Sequence, residues 1–394
     1  MDTSPLSRFA STYSFELDDY QLQGCHHLDE GAGVLVAAPT GAGKTVVGEY
    51  ATFLALESGL KCFYTTPIKA LSNQKYHDLV ARYGADSVGL LTGDASVNSE
   101  APIVVMTTEV LRNMLYAGSS TLAGLGFVVM DEVHYLADRF RGAVWEEVII
   151  HLPRSVQVIS LSATVSNAEE FGDWMQQVRG DTDVVITEHR PVPLYQHMMV
   201  GARLYDLLGE DERGDRVVNP DLLSRIASLT APARGGHRFD AGAPSGRRGR
   251  GRRPAPRQPQ GETFRPAPRA EVIAALDRAG LLPAITFIFS RAGCEGAVAQ
   301  LLGYGMQLVT DDESATIRAY VAERVAHIPV EDLAVIGYHD FVEGLARGFA
   351  AHHAGMLPTF REIVEELFVT GQIKAVFATE TLALGINMPA RSVV

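Results

Sequence analysis

Residues Ala38 to Thr45 read A-P-T-G-A-G-K-T and follow directly on the apolar run Gly33-Val34-Leu35-Val36-Ala37. A buried strand that runs into a glycine-rich turn and then a helix is the arrangement that cradles a phosphate. Gly41 and Gly43 let the backbone turn tightly, so that amide N–H groups and the next helix's N-terminus point at phosphate oxygens. The candidate nucleotide-binding residues are therefore Pro39, Thr40, Gly41, Ala42, Gly43, Lys44 and Thr45. Lys44 is expected to reach the β/γ-phosphates and the Thr45 hydroxyl to hold Mg²⁺. Ala38 stands where the common pattern has its first glycine. The expected cofactors are ATP and Mg²⁺.

A second apolar run, Phe127-Val128-Val129-Met130, ends in Asp131-Glu132-Val133-His134. A carboxylate at the carboxyl end of a neighbouring parallel strand can hold the same Mg²⁺ from the opposite side. Asp131 fits that role, Glu132 is placed to orient the attacking water, and His134 to sense the γ-phosphate. The competing reading of this stretch is a strand followed by a solvated acidic turn. Together the two segments predict ATP hydrolysis, with Lys44, Asp131, Glu132 and His134 as the catalytic candidates.

The chain around them alternates strands and helices. Apolar strands are expected near 33–38, 61–65, 103–106, 127–130 and 156–161, with helices over Lys44–Ser58 and Ile68–Tyr83, which implies a parallel sheet covered on both faces. Ala284 to Phe289 opens a second sheet, Lys374–Ala378 is a later strand of it, and 312–350 reads as inserted helices. The 394 residues are 46% hydrophobic, enough for real cores in two or three domains. The longest apolar stretch, Leu281 to Phe289, is far short of the roughly 20 residues that span a bilayer. With no basic-then-apolar leader at the N-terminus, the expectation is a cytoplasmic protein without membrane contact. Cys25, Cys62 and Cys294 lack metal-ligand or disulfide spacing and read as reduced packing residues. The pairs His26-His27 and His352-His353 likewise read as structural rather than metal-binding.

A formal net charge of −13 argues against polyanion binding over the whole surface, so any nucleic-acid site is local. Residues 232–270 reverse the sign, with ten arginines against Asp240 and Glu262. Rich in Gly, Pro and Arg, they cannot bury enough apolar surface to fold and read as a disordered linker. Gly-Arg-Arg-Gly-Arg-Gly-Arg-Arg from Gly246 is either a sequence-tolerant clamp on RNA phosphate or a solvated spacer.

The order of the remaining segments resembles a known family. D-E-V-H resembles the DExH box of superfamily 2 helicases, and Ser162-Ala163-Thr164 their motif III. Thr65 to Leu71 is similar to motif Ia, Thr107-Thr108-Glu109 to a later nucleic-acid contact, and Ala378 to Asn387 to motif V. Phe15 to Gln21 (F-E-L-D-D-Y-Q) resembles the adenine-reading Q motif. R-G-A-V-W-E-E from Arg141, H-R-P-V-P-L-Y-Q-H from His189 and A-H-H-A-G-M-L-P from Ala351 resemble the superkiller and exosome-associated RNA helicases.

The resemblance implies an α/β fold of two RecA-like, doubly wound parallel-sheet domains, the second incomplete. The expected boundaries are 1–30 for an adenine-motif segment, 31–231 for domain one, 232–270 for the linker and 271–394 for domain two. It implies that Gln21 reads adenine and that Phe15 stacks on it, although Phe15 also reads as a core aromatic. Gly385 and Asn387 join the nucleotide-binding set. Pro67, Lys69, Thr107, Thr108, Arg291, Gly355, Thr379 and Glu380 become nucleic-acid candidates. Thr66 before Pro67 also reads as a helix N-cap. Trp145, Glu146 and Glu147 are expected to brace the core.

In the family, motif V is followed by a Q-x-x-G-R-A-G-R segment whose arginines contact the γ-phosphate. No such segment occurs in these 394 residues, and the family's winged-helix, ratchet and arch domains are also missing. The expectation is thus a C-terminally truncated core that binds ATP, hydrolyses it weakly and does not separate strands. The expected function is an ATP-dependent 3′-to-5′ RNA helicase core acting on single-stranded or 3′-tailed RNA, with RNA-decay nucleases as partners. The alternatives are a DNA-repair helicase of the related archaeal type and a non-motor fragment that binds RNA and ATP.

Overall fold

The computed structural model describes residues 4–137, 142–163, 168–211, 213–230, 267–335, 337–379, 382 and 388–394. The chain divides into two compact units, one formed mainly by residues up to Leu194 and the other mainly by residues from Tyr195 onward. Among the described residues no helix is long and apolar enough to cross a membrane.

In the first unit the strands are β1 (Gly33–Ala37), β2 (Lys61–Thr66), β3 (Val88–Leu91), β4 (Ser96–Val97), β5 (Ile103–Thr107), β6 (Leu125–Met130), β7 (Gln157–Ser162) and β8 (Thr182–Ile186). They form one sheet in the order β4-β3-β5-β2-β6-β7-β1-β8, parallel throughout except for the β3–β4 pair at one edge. The helices are α1 (Pro5–Ala10), α2 (Asp19–Asp29), α3 (Thr45–Ser58), α4 (Lys69–Tyr83), α5 (Thr108–Ala117), α6 (Gly142–His151) and α7 (Ala168–Arg179). From β1 the chain leaves for β2, on the far side of β6 and β7, which opens a crevice at the strands' carboxyl ends where ligands bind in open α/β sheets.

Strand periodicity sorts the side chains into two cores. Val34, Val36 and Tyr64 face α1 to α4, where they meet Val47, Tyr50 and Leu79. Leu35 and Phe63 face α5 to α7, where they meet Met114, Trp145 and Met175. Both sheet faces being covered, the strands read as unbroken apolar runs. Helix α3 lies so close to the sheet that a Cβ on Gly48 would sit 2.9 Å from Val129. Strands β3, β4 and β8 were not among the expected strands, and of these β4 and β8 form the sheet's two edges. β4 is two exposed residues and β8 is only partly buried, so neither carries the apolar signature of the interior strands.

Arg179, the last residue of α7, collects the carbonyls left free where α6 ends. Its guanidinium donates to Leu152 O (2.5 Å), Val156 O (2.8 Å), Pro153 O (2.9 Å) and Ile149 O (3.3 Å). Arg179→Ala strands these acceptors in a half-buried site. The expected loss is about 3 kcal/mol, read as a lower urea midpoint with an unchanged slope.

The second unit carries two hairpins, β9 (His197–Val200) with β10 (Arg203–Asp206) and β11 (Leu208–Glu210) with β12 (Arg216–Val218), then α8 (Pro220–Thr230). There follow α9 (Arg269–Arg278), β13 (Ala284–Phe287), α10 (Arg291–Gly303), α11 (Asp311–Arg324), α12 (Val330–Val335), α13 (Tyr338–Ala346), β14 (Phe349–His352), α14 (Pro358–Val369), β15 (Ala375–Ala378) and β16 (Ser392–Val393). Strands β14-β15-β13-β16 make a parallel sheet.

Three expectations change here. Residues 195–230, assigned to domain one, group with the second unit, and Leu204 of β10 packs on the core built from Ile273, Phe349 and Phe377. The helical stretch ends before Phe349, because Phe349–His352 pairs in register with Ala375–Ala378. The linker, expected to run to 270, ends sooner: Arg269 and Ala270 open α9, and Ala270 is buried. Residues 232–266 lie outside the described residues.

Candidate nucleotide site and nucleic-acid interface

The phosphate-binding loop leaves the carboxyl end of β1, anchored where Ala38 N donates to Ser162 O on β7 at 3.0 Å. Gly41 and Gly43 both take left-handed backbone conformations, φ +84° and +88°. At Gly43 a Cβ would also lie 2.7 Å from Gln21 Nε2, so that the amide would have to move off the loop. Thr45 begins α3, so the helix's free N–H groups and positive end face the turn. Thr40 is exposed, Thr45 part-exposed, and Pro39 and Ala42 are buried.

Two residues later than β6, the second half of the site meets the first. Lys44 is 5% exposed, and its Nζ lies 3.5 Å from Glu132 Oε1. Asp131 closes β6: its N–H donates to Thr65 O, and Oδ1 accepts the Glu132 N–H, both at 2.9 Å. Glu132 is forced to φ +53°, a costly conformation for a residue with a side chain. Such strain is held where the surroundings fix it, and here it turns the carboxylate toward Lys44. His134 Nδ1 lies 3.3 Å from Glu132 Oε2.

Burial raises the Glu132 carboxyl above its ordinary range; the Lys44 charge opposes this and Asp131 adds to it. Burial, then Lys44, lowers His134 below the ordinary imidazole value, so it is neutral at pH 7. Glu132 Oε2 and His134 Nδ1 are buried with no hydrogen-bond partner. Polar atoms without a hydrogen bond, beside a loop that turns through Gly41 and Gly43, fit a polar guest, namely a terminal phosphate and a water. Thr45 and Asp131 present hydroxyl and carboxylate oxygens, the donor set Mg²⁺ prefers.

Comparison with known proteins agrees with this geometry. A family model described as DEAD/DEAH box helicase matches residues 18–171. The chain is 60% identical over 394 residues to "Probable helicase HelY" of Mycobacterium leprae, covering 100% of this chain and 42% of that protein. It is 40% identical to "Superkiller complex protein 2" of Homo sapiens over 406 residues (100% and 31%). It is 38% identical to human "Exosome RNA helicase MTR4" over 393 residues (98% and 35%). Residues 18–171 thus carry a domain of the DEAD/DEAH box helicases. Within that family the chain's relatives are of the superkiller and exosome-helicase type, and the large parallel sheet is that of a RecA-like helicase domain. The chain spans less than half the length of each of these relatives.

The remaining helicase candidates divide. Phe15 is 55% exposed beside the Tyr13 ring (centroids 5.0 Å), so it is not a core aromatic. Gln21 is buried and engaged: Oε1 accepts the Asp18 N–H at 2.9 Å in a capping box, and Nε2 donates to Gly43 O at 3.0 Å. Its amide therefore ties α2 to the phosphate loop, and Tyr20 Oη reinforces this by donating to Ala42 O at 2.5 Å. Thr108 is fully buried, with its hydroxyl on Thr66 O at 3.3 Å, and Pro67 is buried too; these two shape the loop rather than present side chains from it. Lys69 is exposed and paired with Asp94, and Thr107 is half-buried. Thr66 is not the N-cap of α4; that residue is Ile68, and the Thr66 hydroxyl instead bonds Ser72 Oγ (2.7 Å) and Ile68 O (3.0 Å).

In the second unit Arg291 and Gly355 come together, both exposed; a Cβ on Gly355 would meet the Arg291 side chain at 3.2 Å. Thr379 follows β15 with its N–H on His352 O at 3.2 Å. His352 Nε2 lies 2.6 Å from Glu365, and the Gly355 N–H donates to His353 Nδ1 at 3.2 Å. Trp145 is fully buried with its ring stacked near Tyr135, whereas Glu146 is exposed. Glu380, Gly385, Asn387 and Thr164 lie outside the described residues. Sequence reasoning missed Tyr64, whose Oη donates to Asp131 Oδ2 at 2.9 Å. It sits in an apolar strand run, and only the neighbouring strand's register reveals its partner.

Proposed function

We propose that this chain is the motor core of an ATP-dependent RNA helicase, moving 3′-to-5′ on single-stranded or 3′-tailed RNA in RNA processing or decay, in the cytoplasm and alongside an RNA-degrading nuclease. The observation that carries the reading is the meeting of Lys44 and Glu132, 3.5 Å apart, between the ends of β1 and β6. Lys44 and the loop amides hold the triphosphate. Thr45 and Asp131 hold Mg²⁺, which neutralises charge on the phosphates. Glu132, ionised, orients the attacking water, and neutral His134 beside it offers a hydrogen bond to the terminal phosphate. Phe15 supplies an exposed ring for the adenine.

RNA is favoured over DNA by the relatives whose printed names include RNA helicase and exosome. Lys69, Thr107, Arg291, Gly355, Thr379 and Glu380 are the proposed nucleic-acid contacts. The test is ATP turnover with single-stranded RNA and DNA of equal length and composition. Stimulation by RNA well above that by DNA supports the reading. Stimulation by DNA alone favours a DNA helicase, and ATP binding without turnover on either favours a non-motor fragment.

A further inference from the structure

We propose that Tyr64 is a positioning residue that orients the Asp131 carboxylate toward the metal ion of the nucleotide complex. The inference rests on the nucleotide and Mg²⁺ reading above and names a residue that reading does not use. Tyr64 lies on β2, next to β6, and its side chain is fully buried. Strand β2 grips Asp131 twice: Tyr64 Oη donates to Oδ2, and Thr65 O accepts the Asp131 N–H, both at 2.9 Å.

Asp131 Oδ1 holds the Glu132 N–H at 2.9 Å. Each carboxylate oxygen thus carries one donor and keeps lone-pair capacity for another partner. Rotating the carboxylate would break both bonds, so its free lone pairs point in one fixed direction. The Tyr64 ring is itself held from the helix side, where Lys75 Nζ lies 5.3 Å from its centroid and 3.5 Å from Glu49. Groups that hydrogen-bond a metal ligand fix its orientation, and removing them typically weakens metal binding about 10- to 100-fold.

The test is Tyr64→Phe, which deletes one buried oxygen and keeps the ring. Binding of a fluorescent ADP analogue is titrated with Mg²⁺, and bound Mn²⁺ is counted by electron paramagnetic resonance in the same complex. The expected result is a rise of about tenfold in the metal concentration at half-saturation. Nucleotide affinity in excess chelator should be unchanged. In an Asp131→Asn background, Tyr64→Phe should shift the metal midpoint no further, whatever it does to the melting temperature.

An unchanged metal midpoint overturns the proposal, as does the same shift in both backgrounds, which is the signature of a purely structural tyrosine. If the parent chain binds the analogue with no dependence on metal, the Mg²⁺ reading itself fails and the proposal with it.

Discussion

Glu132→Gln is expected to leave ATP binding near the parent value and to lower turnover by about 10²–10⁴, the usual contribution of a positioned acid–base group. The substitution keeps the shape of the side chain and removes only its charge. Burial raises the Glu132 carboxyl above its ordinary range, and hydrolysis needs the ionised form. The acid limb of the parent's rate profile should therefore lie above the usual carboxylate range, rising as pH rises through the Glu132 pKa. That limb should vanish in the variant. Steady-state phosphate release between pH 4 and 8, set beside ATP binding at each pH, checks both parts. Equal turnover in the two proteins would remove Glu132 from the reaction.

Lys44→Ala should act on the ground state as well. Lys44 is nearly buried and aimed between the loop and Glu132, so its loss removes a charge-assisted bond to phosphate worth roughly 1.5–3 kcal/mol. ATP affinity should fall about 10- to 100-fold, with hydrolysis falling further. The variant also leaves Glu132 without the charge that opposes the upward pull of burial. Any residual hydrolysis should then show its acid limb at higher pH than the parent. Calorimetric titration with a non-hydrolysable ATP analogue measures the first effect and the rate profile the second.

The parts of this protein that were readable from sequence are those where one local pattern carries the chemistry. The loop from Pro39 to Thr45 and the Asp131–His134 turn each follow an apolar run, and a parallel sheet brings both strand ends to one edge. The interior strands were visible because burial on both faces leaves them uniformly apolar. What escaped depends on partners distant in sequence. Gln21 reads as an adenine contact until Gly43 O and the Asp18 N–H are seen to occupy its amide.

Thr108 reads as an exposed hydroxyl until β2 is placed beside it, and Tyr64 as core filler until β6 is. The hairpins of residues 197–218 alternate too weakly and too briefly to declare that they belong with the second unit. Phe349–His352 followed a long helical stretch, and only pairing with β15 makes it a strand.

One ATP with Mg²⁺ is expected to occupy the cradle between the ends of β1 and β6. Hydrogen–deuterium exchange of the unaltered chain, with and without a Mg²⁺-loaded non-hydrolysable ATP analogue, tests it directly. Slower exchange is expected in peptides spanning 39–47 and 130–135, where loop amides take up phosphate oxygens, and it should disappear in Lys44→Ala. Saturating analogue that leaves both peptides unprotected, or protects them equally in Lys44→Ala, would mean that the nucleotide does not sit in this cradle.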